Sequence, residues 1–323
     1  ERIGHPGTDP PLAVASAASQ RANPLGAARF ETAPRMHSFP PLPDLTGPNA
    51  PDDLLDGHLW VLELIDGTGL RFRMEESGLL RFGGPETTYA DDEDVPLALR
   101  PAVRHVREAF DREALRSAAD DPASVTFLGV ATHRRGTDYD WGRLPPFLGT
   151  DVHSADANAF RPPDAVAAIF DGVGLTAVNA VDREVRARDF DPTDYPIPRS
   201  AWRDGRAAGV VVRNKRGGRG KLASVDRDHR PEEAAAGDLD ADALAEAHAT
   251  PDRFDRVVAA LDGRGDPVTV ADLADRTVES IARETTVTLD DGRSAGPGAF
   301  RAAVVERARA YLERPDGRRI DGG

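Results

Sequence analysis

The sequence predicts an α+β protein in which mixed antiparallel strands and helices precede a small all-α C-terminal domain. Buried-strand runs at residues 59–65, 125–131 and 207–213 are separated by helical stretches without regular strand-helix alternation. After residue 224 the composition changes to Asp, Glu, Ala and Pro, which is typical of a linker. These observations predict a larger domain over 36–224, a linker over 225–249 and a helical domain over 250–323.

The first 35 residues carry no periodic pattern. Gly, Pro, Ala and Ser are mixed there, and the first methionine of the chain is Met36. Residues 37–43, which follow it, are punctuated by prolines. We expect residues 1–35 to be a disordered or misassigned extension and the organised protein to start near Met36.

The elements of the larger domain begin with a strand, a turn and a second strand. Residues 59–65 are a buried-strand run, Asp66-Gly67 is a turn signal, and residues 70–74 alternate with period two. Helical spacing follows over 96–117 and again over 163–173, with a buried strand at 125–131 between them. The strand at 207–213 leads into a basic loop over 214–221.

Three helical patterns make up the C-terminal part. Phe254, Val257 and Leu261 form an apolar stripe, and the last pattern extends from Phe300 to Tyr311. Between them, Thr269 followed three residues later by an Asp resembles a capping box at the start of a helix. We expect a small helical bundle that packs on the larger domain.

The charge composition is lopsided. The chain has 41 basic and 55 acidic residues, a net charge of −14, and its only lysines are Lys215 and Lys221. Such an Asp-rich, Lys-poor chain without cysteine is typical of cytoplasmic proteins of salt-loving prokaryotes. At molar salt the Debye length is only about 3 Å, so this charge does not forbid a polyanionic partner. The missing cysteines exclude disulfides, thiol nucleophiles and cysteine zinc sites, and no apolar run is long enough to predict a membrane span.

Six segments have an informative order and spacing. In chain order they are Glu63-Leu-Ile-Asp-Gly67, Phe127-Leu-Gly-Val-Ala-Thr-His133, Asp138-Tyr-Asp-Trp141, Phe147-Leu-Gly-Thr-Asp-Val152, Ala208-Gly-Val-Val-Val-Arg-Asn-Lys215 and Arg219-Gly-Lys221. The arrangement resembles the ATP-dependent RNA ligases, of haloarchaeal type, within the covalent nucleotidyltransferase superfamily. It covers residues 57–224 and implies an ATP-grasp-like ligase fold of mixed antiparallel sheets with helices.

The resemblance also implies a chemistry. In the family a lysine attacks the α-phosphate of ATP, and the AMP then passes to an RNA 5′-phosphate before a 3′-hydroxyl displaces it. This needs a nucleophilic amine, a divalent ion such as Mg²⁺, carboxylates for metal and ribose, and cations around the phosphates. ATP, Mg²⁺ and RNA are therefore the implied cofactors and partner.

Three family positions carry the wrong residue for that chemistry. Leu64 stands where the family has its lysine, and Val130 and Ala208 stand where it has glutamates. None of the three side chains can form a phosphoramidate or bind a metal, although all three suit a packed strand. No lysine precedes residue 215 to replace the nucleophile. The sequence therefore predicts a degenerate ligase domain without an intact catalytic residue.

Several residues stay candidates for binding. Asp66 and Gly67 match the first motif, Arg81 lies at the distance of a family ribose- or phosphate-binding arginine, and Phe147 matches an aromatic residue that stacks on adenine. Arg81 is equally consistent with a surface residue, and Phe147 with a core residue. Possible metal ligands are Asp138, Asp140 and Asp151, each also ordinary in a turn or at a strand end.

The cationic run, residues 213–221, is the strongest binding signal. Its five cations are Arg213, Lys215, Arg216, Arg219 and Lys221, with three glycines and no acidic residue among them. Such a loop suits phosphate, and Lys221 matches the family's phosphate-binding lysine, although a solvated hairpin would look the same. His133 with its two following arginines is a weaker candidate for facing RNA.

Two functional hypotheses follow. One is a degenerate ligase-like domain that still binds nucleotide or RNA phosphate, acting as an RNA-binding or regulatory partner of an intact paralogue. The other is an active ligase with a non-standard nucleophile. Covalent labelling by ATP distinguishes them.

Overall fold

The computed structural model describes residues 36–51, 53–224, 240–287 and 296–314. The extension predicted over 1–35 lies outside these residues, as does most of the predicted linker. The strands are β1 (His58–Glu63), β2 (Gly67–Met74), β3 (Leu80–Gly83), β4 (Val125–Thr132), β5 (Phe147–Ser154), β6 (Ala159–Phe160), β7 (Ala180–Arg186), β8 (Gly209–Asn214) and β9 (Arg219–Ala223). The helices are α1 (Arg100–Ala109), α2 (Arg112–Ala118), α3 (Pro163–Gly172), α4 (Ala241–His248), α5 (Pro251–Asp262), α6 (Val270–Glu284) and α7 (Pro297–Leu312).

The strands form two antiparallel sheets. The larger has the order β3-β2-β4-β5-β6 and the smaller the order β7-β1-β8-β9. The predicted α+β class with antiparallel sheets is therefore confirmed. Although β1 and β2 are consecutive, they do not pair: β1 lies between β7 and β8, whereas β2 lies between β3 and β4. The turn at Asp66 thus carries the chain from one sheet to the other.

One face of the larger sheet is covered by helices α1 to α3. Its core is rich in phenylalanine because alternate residues of β2, β4 and β5 point to this face. The rings of Phe72 and Phe127 stack with centroids 5.0 Å apart. Gly129 leaves room for the ring of Phe147, which would lie 2.4 Å from a Cβ at that position. This face is closed, so a site on the larger sheet has to lie on the opposite face.

The helices α4 to α7 share a separate apolar core. The predicted cap is present: the hydroxyl of Thr269 accepts a hydrogen bond from the backbone N–H of Asp272 at 3.1 Å. Helix α4 lies within the segment predicted to be a linker. Asp240 caps this helix, and its apolar residues Leu244 and Ala245 are buried. In the part of the chain that the structure describes, no helix is long and apolar enough to cross a membrane.

Arg283 of α6 fastens the helices to the larger sheet. Its guanidinium donates to the carbonyl of Thr132 at 3.1 Å and to that of Leu144 at 2.5 Å. A second link is the ion pair between Arg104 of α1 and Glu279 of α6. These contacts hold the helical core against the end of β4.

Candidate functional site

A cavity of about 300 Å³ lies between the two sheets. Residues from five of the six sequence segments reach this inter-sheet cavity. Those lining it are Glu63, Leu64, Ile65, Gly129, Val130, Thr150, Asp151, Val211, Arg213 and Arg219. They come from β1, its end, β4, β5, β8 and β9, so segments spread over nearly half the chain converge on one volume.

Strand alternation places these side chains. On β8, Val211 and Arg213 face the inter-sheet cavity, whereas Val210 and Val212 point into the core on the other face. Val130 of β4 lies opposite Gly69 of β2 on the cavity side. Successive residues of β8 therefore face the inter-sheet cavity and the core in turn.

Most of the cavity wall is apolar. Its aliphatic side chains are Leu42, Leu62, Leu64, Ile65, Val130, Val178 and Val211. Leu64 and Val130, which the resemblance aligns with a lysine and a glutamate, are thus part of one apolar surface. Such a wall suits a ring or an aliphatic group, and it offers a phosphate no partner.

A buried ion cluster closes one end of the cavity. Both Arg213 and Arg219 contact the same carboxylate oxygen of Asp151, at 2.8 and 2.7 Å. All three are nearly inaccessible, with 3%, 6% and 6% of their surface exposed. Burial lowers the pKa of Arg213, and Asp151 opposes that shift. Both guanidinium groups thus have a counter-ion within the protein, and the contacts with Asp151 hold them in place.

Residues 36–45, which we call the strap, cross the open side of the cavity. Phe39, Pro40 and Leu42 line it. A Cβ on Gly69 would lie 2.9 Å from Cζ of Phe39, so this glycine lets the ring lie flat on β2. Upstream, the ring of His37 stacks on that of His153 at 3.6 Å. The strap therefore fills part of the space that a ligand would take.

The first motif braces the turn between the sheets. The carboxylate of Asp66 accepts the backbone N–H of Thr137 at 3.0 Å, and its own N–H donates to the hydroxyl of Tyr139 at 2.9 Å. Burial raises the pKa of Tyr139 to about 12, so this hydroxyl stays neutral. Glu63 accepts hydrogen bonds from the hydroxyl of Ser200 at 2.5 Å and the N–H of Ala201 at 3.0 Å. Both carboxylates are occupied within the protein.

The cationic run does not form a single phosphate site. Arg213 and Arg219 are buried at Asp151, while Arg216 pairs with Asp56. Lys215 lies 3.0 Å from Asp164 and 3.3 Å from Glu184, and its ammonium is 4.8 Å from the ring centre of Trp60.

Lys221 differs from the other four cations. It lies opposite Val211 in the sheet, so its side chain is on the cavity side of β9. Its charge is attracted to Asp44 of the strap. Of the run, Lys221 is the cation best placed to meet a ligand at the mouth of the cavity.

Four other predicted residues lie away from the cavity lining. Phe147 is fully buried among the core rings. Arg81 is on β3 at the edge of the sheet, where it donates to Glu75 at 2.8 Å. Ala208 is buried beside the start of β8, and its carbonyl accepts the N–H of Ser224. Gly67 begins β2 next to β4 and leaves no room for a side chain.

The carboxylates do not assemble a metal centre. Asp151 is bound by two arginines, Asp138 accepts from the indole of Trp141 at 3.1 Å, and Asp140 accepts from the N–H of Gly142 at 3.2 Å. Among the described residues, no three His, Asp or Glu side chains lie together so as to hold an ion. The described carboxylates therefore form no preassembled cage for a divalent ion, while the ring and sugar of a nucleotide suit the apolar wall better than its phosphates.

Sequence reasoning missed the strap. Its prolines were visible as punctuation, but nothing in them pointed to the cavity. It also missed that Asp151 is the counter-ion of the cationic run, since these residues are more than 60 positions apart and share no local pattern. Strand alternation around Val211 and Arg213 is the sequence signal that could have placed Arg213 on the cavity side.

No protein-family model matches the chain, and no curated protein matches it. Among solved structures it is similar to an RNA ligase of Naegleria gruberi, a mutant with ATP and Mn, with 13% identity, a TM-score of 0.47 and coverage of 60% of this chain and 58% of that one. For the same ligase with PPi the identity is 13% and the TM-score 0.43, with coverage of 62% of this chain and 63% of that one. For an archaeal ATP-dependent RNA ligase the identity is 16% and the TM-score 0.42, with coverage of 76% of this chain and 63% of that one. The chain thus spans less than two thirds of each, and because these values are low, the function proposed below is argued from this chain's own residues.

Proposed function

We propose that the chain is an RNA-ligase-like domain that has lost nucleotidyl transfer and acts by binding rather than by catalysis. One observation carries the proposal: Leu64 and Val130 line the same cavity as Asp151, Arg213 and Arg219. The motif spacing implied one site for these segments, and their convergence supports that alignment. At that site the two positions needed for chemistry are aliphatic.

The cavity explains the loss in physical terms. An aliphatic side chain at residue 64 has no lone pair to attack a phosphorus atom, and one at residue 130 has no oxygen for metal or ribose. Replacing charged groups by apolar ones in a packed cavity removes their desolvation cost, so the fold survives the change. The remaining polar groups at Asp151 are saturated by the protein itself.

Within this proposal the inter-sheet cavity takes a nucleoside-sized group. A volume of about 300 Å³ is at the lower end of ligand cavities. Lys221 on the cavity side of β9 would meet one phosphate at the mouth. Binding should therefore not require a divalent ion, and adenosine and AMP should bind at least as well as ATP.

Covalent labelling tests the loss of catalysis. The protein is incubated with ATP labelled at the α-phosphate and either Mg²⁺ or Mn²⁺, next to an active RNA ligase as positive control. We expect no labelled protein. A label on Lys221, located by mass spectrometry, would instead support the alternative of an active ligase with a non-standard nucleophile.

A restored variant tests the alignment. Leu64→Lys, Val130→Glu and Ala208→Glu together should recover part of the labelling, because they return the nucleophile and both carboxylates. A thermal-shift titration with adenosine, AMP and ATP, with and without Mg²⁺, measures binding in the same variant and in the unaltered protein. A folded variant that binds ATP but takes up no label would show that residue 64 is not at the nucleophile position.

A further inference from the structure

Two loops meet on the outer side of the first motif. They are residues 133–144 and 199–206, and together we call them the two-loop surface. The N–H of Asp140 donates to the carbonyl of Trp202 at 2.8 Å, and the guanidinium of Arg143 donates to the carbonyl of Ala201 at 3.2 Å. The second loop is fixed to β1 through Glu63, and the first to the turn through Asp66. The loops thus have defined positions relative to each other.

The two-loop surface is basic in an acidic protein. It carries six arginines and three aspartates, while the whole chain has a net charge of −14. The arginines are Arg134, Arg135, Arg143, Arg199, Arg203 and Arg206. Arg199 pairs with Asp204 at 2.5 Å, and Arg134 lies 3.6 Å from Asp138.

The other four arginines have no carboxylate partner among the described residues. Arg135 donates to the carbonyl of Gly67 at 3.2 Å, and Arg206 donates to that of Ile197 at 3.3 Å. Carbonyl contacts orient these guanidiniums and leave their charge uncompensated. In Arg203 and Arg134 a buried Nε has no hydrogen-bond partner in the described structure.

Two exposed arginines elsewhere are held by carboxylates. Arg107 contacts both carboxylate oxygens of Asp92 at 2.5 Å, and Arg301 contacts those of Asp275 at 2.6 and 3.1 Å. Single arginines without an ion pair among the described residues also occur elsewhere, as at Arg161 and Arg183, but the two loops bring four of them onto one surface, and this concentration of positive charge in an acidic chain needs an explanation. A polyanionic ligand supplies one, because it brings the missing counter-charges.

Two tryptophans lie among these arginines. Trp141 and Trp202 are both partly exposed, and they occupy the two contacting loops. The ring of Trp141 meets Tyr139 edge-on at 5.7 Å and has the guanidinium of Arg283 at 5.3 Å. Cations interleaved with aromatic rings are the arrangement that binds single-stranded nucleic acids, since bases stack while arginines meet phosphates.

We propose that the two-loop surface binds single-stranded RNA. The choice of RNA over single-stranded DNA rests on the function proposed above, while the single-stranded polyanion rests on the arginines and tryptophans. The surface is distinct from the cationic run, in which Arg213, Lys215, Arg216 and Arg219 are paired with carboxylates of the protein. Its two loops are anchored to the buried carboxylates of Glu63 and Asp66, of which Glu63 also lines the inter-sheet cavity.

Fluorescence anisotropy with an unstructured, labelled RNA of about 15 nucleotides tests the proposal. The test variant carries Arg135→Glu, Arg143→Glu and Arg206→Glu. The matched control carries Arg183→Glu, Arg186→Glu and Arg188→Glu, which make the same charge change at exposed positions of β7 and the turn after it. We expect the test variant to bind about 10-fold or more weakly, and the slope of log K against log salt to become shallower by about 2.

Additional variants and competitors distinguish loss of RNA binding from loss of folding. Replacing the same three arginines by lysine keeps the charge, so binding should be retained; this variant and an alanine version serve if the glutamate variant does not fold. RNA should quench tryptophan fluorescence, and Trp141→Phe should reduce the quenching. Equal loss in test and control variants, or no binding by the unaltered protein, would overturn the proposal. Equal affinity for DNA of the same length would remove only the choice of RNA, and stronger competition by a duplex would contradict the role of the tryptophans.

Nucleotide binding in the inter-sheet cavity and RNA binding by the two-loop surface can be disproved independently of each other. RNA binding without any shift by adenosine or AMP would contradict the cavity function alone. A nucleotide shift without RNA binding would contradict the two-loop surface alone.

Discussion

Arginine has opposite roles in two neighbouring regions of this molecule. At the end of the inter-sheet cavity, Arg213 and Arg219 share the carboxylate of Asp151 and are almost inaccessible. On the two-loop surface, Arg135 and Arg143 are exposed and contact backbone carbonyls. A cation is available to a ligand only where the fold has not already given it an anion. The count of basic residues along a segment does not show this.

The largest expected effect comes from removing the shared anion. Asp151→Asn keeps the shape of the side chain but leaves two guanidiniums buried without a counter-charge, which costs about 3–5 kcal/mol. Urea unfolding monitored by circular dichroism measures the change in the free energy of unfolding. Asp140→Asn, on the exposed loop, is the control and should change it by less than about 0.5 kcal/mol.

If Asp151→Asn were as stable as the unaltered protein, Arg213 and Arg219 would not depend on Asp151 as their counter-ion. Replacing all three members of the cluster by apolar residues of similar size sharpens the test. Because no lone charge is left behind, that variant should lose much less stability than the single change.

An intermediate effect is expected at the ion pair between α1 and α6. Burial raises the pKa of Glu279 to about 7, and Arg104 opposes this shift. The folded state therefore holds the proton more tightly than the unfolded chain, whose glutamate has a pKa of 4.5. This contribution to stability is complete below that pKa and is lost as the pH rises through about 7.

Glu279→Gln should remove this pH dependence. The unaltered protein should lose about 2 kcal/mol relative to the variant between about pH 5 and pH 8, since one pKa unit corresponds to about 1.4 kcal/mol. Unfolding by urea at several pH values measures the difference. Glu306→Gln is the control, because its side chain is 69% exposed whereas that of Glu279 is 12% exposed. A parallel pH profile in Glu279→Gln and the unaltered protein would be evidence against a buried proton at this pair.

The smallest of these stability effects is expected at the strap. Phe39→Ala removes a half-buried ring from the cavity and should cost about 1–2 kcal/mol. It should also increase the binding of a small fluorescent apolar probe, because the ring no longer covers the wall at Gly69. Leu79→Ala, at an exposed apolar residue, is the control and should change neither quantity. If Phe39→Ala leaves probe binding unchanged, the strap does not limit access to the cavity.

Local sequence signals predicted most of the elements. The period-two pattern of residues 70–74 and the cap at Thr269 depend on neighbours in the chain, and both are found in the structure. Helix α4 was missed because its short apolar side, Leu244 and Ala245, lies in an acidic, alanine-rich stretch. The separation of β1 and β2 into two sheets was missed because a turn signal does not specify what each strand pairs with.

The candidate site was predictable only in part. Leu64, Val130 and Asp151, which the order of the segments assigned to one site, line one cavity. Their spacing did not predict that Asp151 would neutralise Arg213 and Arg219, since that depends on the distance between β5 and the smaller sheet. Nor did it predict the two-loop surface, whose members are about 60 residues apart and are joined by backbone hydrogen bonds that any sequence can make.

The end of the strap also covers part of an edge of the smaller sheet. The N–H of Leu45 donates to the carbonyl of Lys221, and the N–H of Lys221 donates to the carbonyl of Pro43, both at 2.9 Å. These bonds occupy polar groups on the outer side of β9, the last strand of the smaller sheet. An uncovered edge strand is a template for pairing with another chain. Residues 43–45 therefore shield the protein from edge-to-edge aggregation, and a ligand that displaced the whole strap would expose that template.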